Sequence, residues 1–421
     1  MRKNLNLLTA NTILNGKNKW YLIASILFLL GCQPSSNKNP FNPKTSVIPM
    51  PTLLEKKEVF FEAKFLNTKD DFKIREFELF KKQLKNYFPK KTIFSKSTSS
   101  KNFEIKIDET INEDASFYEL SIGQEFIVVK GGKKGVFYGL QTLFQLIVLN
   151  YDSISNSIKL PCLEIKDQNS FEHRGFLMDC CRHFFSVKTI KKYIDLLALY
   201  KMNVLHWHLT EDQGWRIEID KYPKLNTVGS WREDSTGKYG GFYTKKEIRE
   251  IVKYAKERYI EVIPEIELPG HSQAAIASYP FLSCESKQIQ VANSWGVFKD
   301  IYCAGNDSVF IFLEDIFQEI TELFPSNRIH IGGDEAPKYH WKNCSKCQKR
   351  IIDNNLKDEH QLQSYFIKRI GDFLKTKNKR LIGWDEIIEG GIPENAIIQS
   401  WRGMEGGICL LYTSPSPRDR G

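Results

Sequence analysis

From about residue 172 onward the chain alternates a short apolar run with a longer amphipathic stretch, and the unit repeats. The apolar runs, read as strands, cover 174–180, 204–209, 261–267, 328–333, 380–384 and 396–401. Helical periodicity fills the intervals, for instance over 187–200, 244–258, 310–324 and 359–375. Repeated units of this kind predict a parallel sheet with right-handed crossovers, either open or closed into a (β/α)8 barrel. Six units are legible, whereas a closed barrel needs eight. Upstream the pattern is different. A helical period over 72–88 leads into alternating runs at 103–107, 118–122 and 126–129, then a second helix over 136–149 after Gly131-Gly132. That order predicts a small α+β domain over residues 51–168, ahead of an incomplete barrel over 169–408.

Composition places this pattern in a globular class. With 41% hydrophobic and 26% charged residues in 421, the chain is neither disordered nor a multi-span membrane protein. The net charge of +9 is scattered in pairs such as Lys56-Lys57, Lys81-Lys82 and Lys133-Lys134. With no concentrated basic stripe and no recognition motif, nucleic acid is not expected as a partner.

The two ends carry separate expectations. Lys17 and Lys19 precede an apolar run from Trp20 to Leu30 that is too short to span a bilayer and has the character of a signal-peptide core. It ends in Leu29-Leu30-Gly31-Cys32, which resembles the bacterial lipobox. Residues 1–32 therefore read as a lipoprotein signal peptide, Cys32 as the site of a lipid anchor at the bacterial cell envelope, and residues 33–50 as a solvated linker. After Ile408 the period stops, and residues 409–421, with two prolines in a short polar stretch, read as a non-native tail.

Export permits disulfides. Cys284 and Cys303 flank one loop region and are expected to be able to pair. Cys344 and Cys347 form a lone Cys-x-x-Cys, short of the four ligands zinc requires, and read as a local disulfide or packed thiols. Cys180 and Cys181 read as core.

The chemistry is expected at the C-terminal ends of the strands. The fourth ends in Gly332-Gly333-Asp334-Glu335-Ala-Pro337, two adjacent carboxylates after two glycines that let a ligand or another backbone come close. Neighbouring residues point opposite ways in a strand, so both can serve one ligand only if the strand stops first. Paired carboxylates of this kind suit glycoside hydrolysis, and Trp384 and Trp401, also at strand ends, offer indole faces for a sugar ring. The rival is a metal-dependent hydrolase, with His206 and His208 on one strand face and His271, Glu267 and Asp334 as further ligands. Arg174, at the start of the first strand, suits either hydroxyl recognition or an ion pair with Asp179.

Five ordered strings carry a resemblance: His173-Arg-Gly-Phe-Leu-Met-Asp179 with Arg182-His183, Asn203-Val-Leu-His-Trp-His-Leu-Thr-Glu-Asp-Gln-Gly-Trp-Arg216, Pro264-Glu-Ile-Glu-Leu-Pro-Gly-His271, His330-Ile-Gly-Gly-Asp-Glu335 and Gly383-Trp-Asp-Glu386. Together with Gly139-Leu-Gln-Thr-Leu143 they resemble the retaining β-N-acetylhexosaminidases of glycoside hydrolase family 20 over about residues 115–408. The resemblance implies a (β/α)8 TIM barrel, here missing its last units, and removal of terminal N-acetylglucosamine or N-acetylgalactosamine from glycans or chitooligosaccharides. It implies no cofactor and no metal. It also implies a mechanism in which the sugar's own 2-acetamido oxygen attacks the anomeric carbon. Asp334 would then orient that group, and Glu335 would act as acid and later as base. Arg174 would hold hydroxyls, and Trp384 and Trp401 would line the pocket. His271 would tune Glu335, with Glu267, Asp212 and His208 in support. Glu267 stands where many members carry Asp. The Tyr, Asp, Trp and Glu of the family's last two strands are not found after Ile408, so the chain is expected to lack part of its pocket. A carbohydrate-binding protein with a degenerate site is the second reading.

Overall fold

A computed structural model describes residues 43–403, apart from 65, 69–73, 92, 95–100, 109, 236 and 392–394. The signal segment with Cys32 and the tail lie outside the described residues. Among the described residues no helix is long and apolar enough to cross a membrane.

The first unit is a mixed seven-stranded sheet. Its strands Tyr118–Ile122 and Phe126–Gly131 form an antiparallel pair, and Lys101–Ile107 joins them parallel. Helices Arg75–Tyr87 and Lys133–Leu149 pack against each other beside it. Two long strands, Leu53–Ala63 and Ser157–Asp167, form much of this sheet and were not legible in the sequence. Pro161 interrupts the alternation of the second. The structure accommodates it opposite Phe60, next to a shift in register between Lys56 and Phe60, where the ladder is already broken.

The second unit is a six-stranded, all-parallel sheet whose spatial order follows the chain: Gly175–Asp179, Val204–His208, Glu261–Glu265, Arg328–His330, Arg380–Trp384 and Ile397–Gln399. Helices Val187–Leu199, Lys245–Lys256, Asp307–Leu323 and Glu359–Thr376 connect them. Their starts are locally encoded. Ser186 accepts from the Thr189 N–H, Thr244 and Glu247 form a reciprocal capping box, and Asp358 accepts from His360 and Gln361. The arrangement is the (β/α)8 barrel wall, with six strands and four crossover α-helices among the described residues.

Alternation along the strands separates two faces. Leu205 and Trp207 are fully buried on the helix side. On the inner side Val204, Ile263 and Ile382 form a small apolar layer with Ile397 packed against it. Above that layer, toward the C-terminal ends, the inner residues become His206, His208, Glu265, His330 and Trp384. Apolar packing at the foot of the sheet thus supports a polar floor beneath the mouth.

Candidate active site

The fourth strand ends at His330, earlier than the expected 333. Gly332 and Gly333 take φ of 67° and 96° and turn the chain out of the sheet before Asp334 and Glu335. The glycines are needed, though not for the reason expected: a Cβ on Gly332 would lie 1.6 Å from Glu267 Oε2, and one on Gly333 would lie 2.3 Å from the Ile387 side chain. The space they free is filled by the protein's own side chains.

Leaving the strand early lets both carboxylates face one group. His271 Nε2 stands 3.5 Å from Asp334 Oδ2 and 3.5 Å from Glu335 Oε2. Two residues of this trio, His271 and Glu335, have left-handed backbone, with φ of 50° and 43°. For side chains other than glycine that conformation is disfavoured, and it clusters at functional positions. His271 is fixed from behind, its Nδ1 meeting Glu211 Oε1 at 2.7 Å and Asp212 Oδ2 at 3.2 Å. Burial opposes protonation of His271, but hydrogen bonds to Asp212, Asp334 and Glu211 outweigh it and raise the pKa well above the usual histidine value.

A second carboxylate organises the floor. Glu265 accepts from His206 Nε2 at 2.8 Å, bonds His208 Nδ1, and meets His330 Nδ1 and Trp384 Nε1 at 2.8 and 3.1 Å. Burial would raise the Glu265 pKa, yet His208, His330 and His206 together hold it well below the usual carboxylate range. Burial pushes His206 the other way, down to about 4. The His-x-His pair expected as metal ligands therefore meets on one Glu265 oxygen, while His271 is turned to Glu211 and Asp212. Glu267 does not take up His271, as its expected supporting role required. It lies fully buried under Gly332, with its acidity suppressed by burial and by the neighbouring Asp334 and Glu265.

Arg174 lies away from the mouth and does not reach the carboxylate pair. It precedes the first strand at its N-terminal end, where Nε donates to Lys201 O at 2.9 Å, Nη1 to Phe171 O at 2.5 Å and Nη2 to the Tyr138 hydroxyl at 3.2 Å. Nor does it pair with Asp179. The guanidinium at the mouth is that of Arg182, three residues beyond the strand end, 3.0 Å from Asp179 Oδ2 and 2.9 Å from Glu211 Oε2. The exposed ring of Trp295 lies against it at 5.6 Å. The signal for Arg182 was in the sequence: it follows the carboxyl end of a strand, and Arg174 does not.

Trp384 is half-buried over His330, with ring centroids 4.7 Å apart. Trp401 is 51% exposed and donates to Glu386 Oε2 at 3.0 Å. A cavity of about 340 Å³ opens beside Glu335, lined also by Lys338, Gln363 and Glu386. A larger cavity, about 930 Å³, lies at the other end of the sheet between the two units and touches none of these groups. At the mouth Asp334 Oδ1 is buried without a hydrogen-bond partner. An acceptor held without a donor is ready for one supplied by a substrate.

The catalytic domain of glycosyl hydrolase family 20 matches residues 171–412, and domain 2 of the same family matches residues 44–168. The chain is similar to a beta-hexosaminidase of Porphyromonas gingivalis, 44% identical over 409 residues, covering 92% of this chain and 52% of that protein. One of Vibrio furnissii is 37% identical over 322 residues, covering 73% and 52%. The chain thus spans about half the length of these curated relatives. Among solved structures, a GH20 exo beta-N-acetylglucosaminidase of Vibrio harveyi in complex with N-acetylglucosamine superposes with a TM-score of 0.76 at 29% identity, covering 88% of this chain and 60% of that one. A beta-N-acetylhexosaminidase of Bacteroides fragilis gives 0.71 at 32% identity, covering 90% and 74%.

Proposed function

Because the chain belongs to glycosyl hydrolase family 20, we propose that it derives from an exo-acting β-N-acetylhexosaminidase, releasing terminal β-linked N-acetylglucosamine or N-acetylgalactosamine from glycans or chitooligosaccharides with retention. The observation that carries this reading is the convergence of Asp334 and Glu335 on His271 Nε2. The lipobox-like segment ending at Cys32 extends the proposal to a lipid anchor at the bacterial envelope.

Each role follows from placement. Asp334 has an unpartnered, buried Oδ1 that can accept the acetamido N–H and oppose the positive charge that develops as the acetamido oxygen closes onto the anomeric carbon. No protein nucleophile is then required. Glu335 is exposed to the cavity and can protonate the departing oxygen, then take a proton from water when the oxazolinium ring opens. His271, with its proton secured by Glu211 and Asp212, positions both carboxylates. Arg182 takes over hydroxyl recognition from Arg174, and Trp384 and Trp401 supply apolar walls.

Replacing Glu335 with Gln removes the acid and leaves the acetamido attack in place. Turnover of natural glycosides should fall by about 10²–10⁴-fold, and that of aryl glycosides with good leaving groups far less. Equal losses on both substrates would defeat the assignment. A thiazoline mimic of the cyclised intermediate should still bind the Glu335→Gln protein and should bind poorly to Asp334→Asn.

A further inference from the structure

Four cysteines distant in sequence meet at one point. Cys284 and Cys303 belong to the long connection between the third strand and helix Asp307–Leu323. Cys344 and Cys347 belong to the two short helices Tyr339–Asn343 and Ser345–Asp353 that follow the Asp334-Glu335 pair. Their sulfurs lie 3.7 Å apart for Cys284 and Cys347, 3.8 Å for Cys303 and Cys344, and 3.7 Å for Cys303 and Cys347, and all four fall within 4.8 Å of one another. This overturns the expectation that Cys344 and Cys347 stand alone, and it gives Cys284 and Cys303 two further thiol neighbours.

We propose that Cys284, Cys303, Cys344 and Cys347 form a structural zinc site. A tetrahedron with Zn–S bonds of about 2.3 Å has sulfur–sulfur edges of about 3.8 Å. The three closest separations match that edge, whereas a disulfide needs about 2.05 Å. Nor do the separations favour any pairing, because Cys303 is equidistant, within 0.1 Å, from Cys344 and Cys347. Four ligand sulfurs and no histidine or carboxylate make a closed, soft donor set, the kind that selects zinc and leaves no position open for chemistry.

The surrounding chain is built to bring them together. Gly305 lies so close to the second segment that a Cβ would stand 2.2 Å from the Lys346 carbonyl carbon and 2.4 Å from the Cys347 nitrogen. The Gly305 N–H is hydrogen-bonded to the Cys303 sulfur. Cys344 precedes a nine-residue helix and Cys347 sits in its first turn. Cys303 and Cys347 are 1% and 0% exposed, so the metal would be shielded from solvent.

The site would fasten two loops of the active centre. Tyr302, next to Cys303, donates its N–H to Pro269 O at 3.0 Å, just before Gly270 and His271. Trp341 Nε1, on the segment that follows Glu335, donates to Tyr302 O at 2.9 Å. Binding zinc would hold the strand-end segments bearing His271 and Glu335 against each other, a positioning role outside the reaction.

The test does not depend on hydrolase activity. Protein purified without added metal or chelator should contain one zinc per chain by elemental mass spectrometry, and mass analysis after alkylation should find the four cysteines reduced. A mercurial reagent should release the zinc in step with thiol modification. Cobalt refolded into the stripped protein should show the intense visible bands of tetrahedral tetrathiolate coordination. Cys303→Ser should lose the zinc; if it does not fold, the wild-type metal content and thiol state still decide. Two disulfides with no metal, four reduced cysteines with no metal, or iron in place of zinc would each overturn the proposal.

Discussion

The two ends of the parallel sheet are both crowded with charge, and they differ in whether that charge is spent. At the N-terminal end Lys201 Nζ is shared between Asp167 at 2.9 Å and the Tyr118 hydroxyl at 2.8 Å. Arg328 is forked onto Glu261, Arg174 is taken up by two carbonyls and a hydroxyl, and Tyr259 reaches Glu76 at 2.7 Å across to the small unit. Donors and acceptors there satisfy each other, and the product is a joint between the two units. At the C-terminal end carboxylates outnumber the cations beside them. Arg182 faces Asp179 and Glu211, His271 faces four acids, and Asp334 keeps a buried oxygen without a donor. Self-satisfied charge is architecture, and charge held in surplus is available to a ligand.

That contrast can be broken most severely from the joint. Lys201→Met strands Asp167 in a buried position and should cost about 3–5 kcal/mol of stability, the usual penalty for removing one partner of a buried pair. If the N-terminal end is architecture, the folded fraction should keep the wild-type KM, so denaturant unfolding and steady-state kinetics on one preparation would decide. At the mouth the pattern should invert. Arg182→Ala should lower kcat/KM by about 100-fold, or about 3 kcal/mol, the loss of charge-assisted bonds to sugar hydroxyls. Because Arg182→Ala also leaves the buried Glu211 without its cation, both variants should lose stability, and kcat/KM separates them: it should fall for Arg182→Ala and hold for the folded fraction of Lys201→Met, and the reverse ranking would return hydroxyl recognition to the other end.

The smallest effect is a pH dependence set by the polar floor. Burial holds folded His206 neutral down to about 4, against about 6.5 unfolded, so between those values the unfolded chain binds more protons. The contribution of His206 to stability should therefore fall as pH falls through this window, by about 2 kcal/mol at a pH of about 5. Replacing His206 with Gln should flatten that part of the stability profile, which chemical denaturation at a series of pH values would show.

Much of this could be read along the chain. The strand-helix units of the barrel appear where the alternation put them, with the fifth strand on its expected bounds and the helix ending at Leu199 one residue short of 200. Gly332-Gly333 ahead of two acids marked the end of a strand and the location of chemistry. The long strands Leu53–Ala63 and Ser157–Asp167 escaped because they pair with each other across about 100 residues, and a proline opposite a register break erases the period. Arg174 was misassigned by motif proximity, although its position at the start of a strand already set it at the far end from the carboxylates.

Periodicity, capping residues and glycine positions are local, and each acts through a few neighbouring dihedrals. For that reason the sequence alone determined the order of strands and helices and the end of the sheet at which the acids emerge. Which side chains meet there depends on register between strands and on how loops close, and neither has a one-dimensional signature. Only the folded chain sets Glu265 among three histidines or turns His271 from Glu267 to Glu211 and Asp212. Cys284 and Cys347, 63 residues apart, come within 3.7 Å because Gly305 lets one backbone lie against another. That contact is long-range packing, and no window along the sequence contains it.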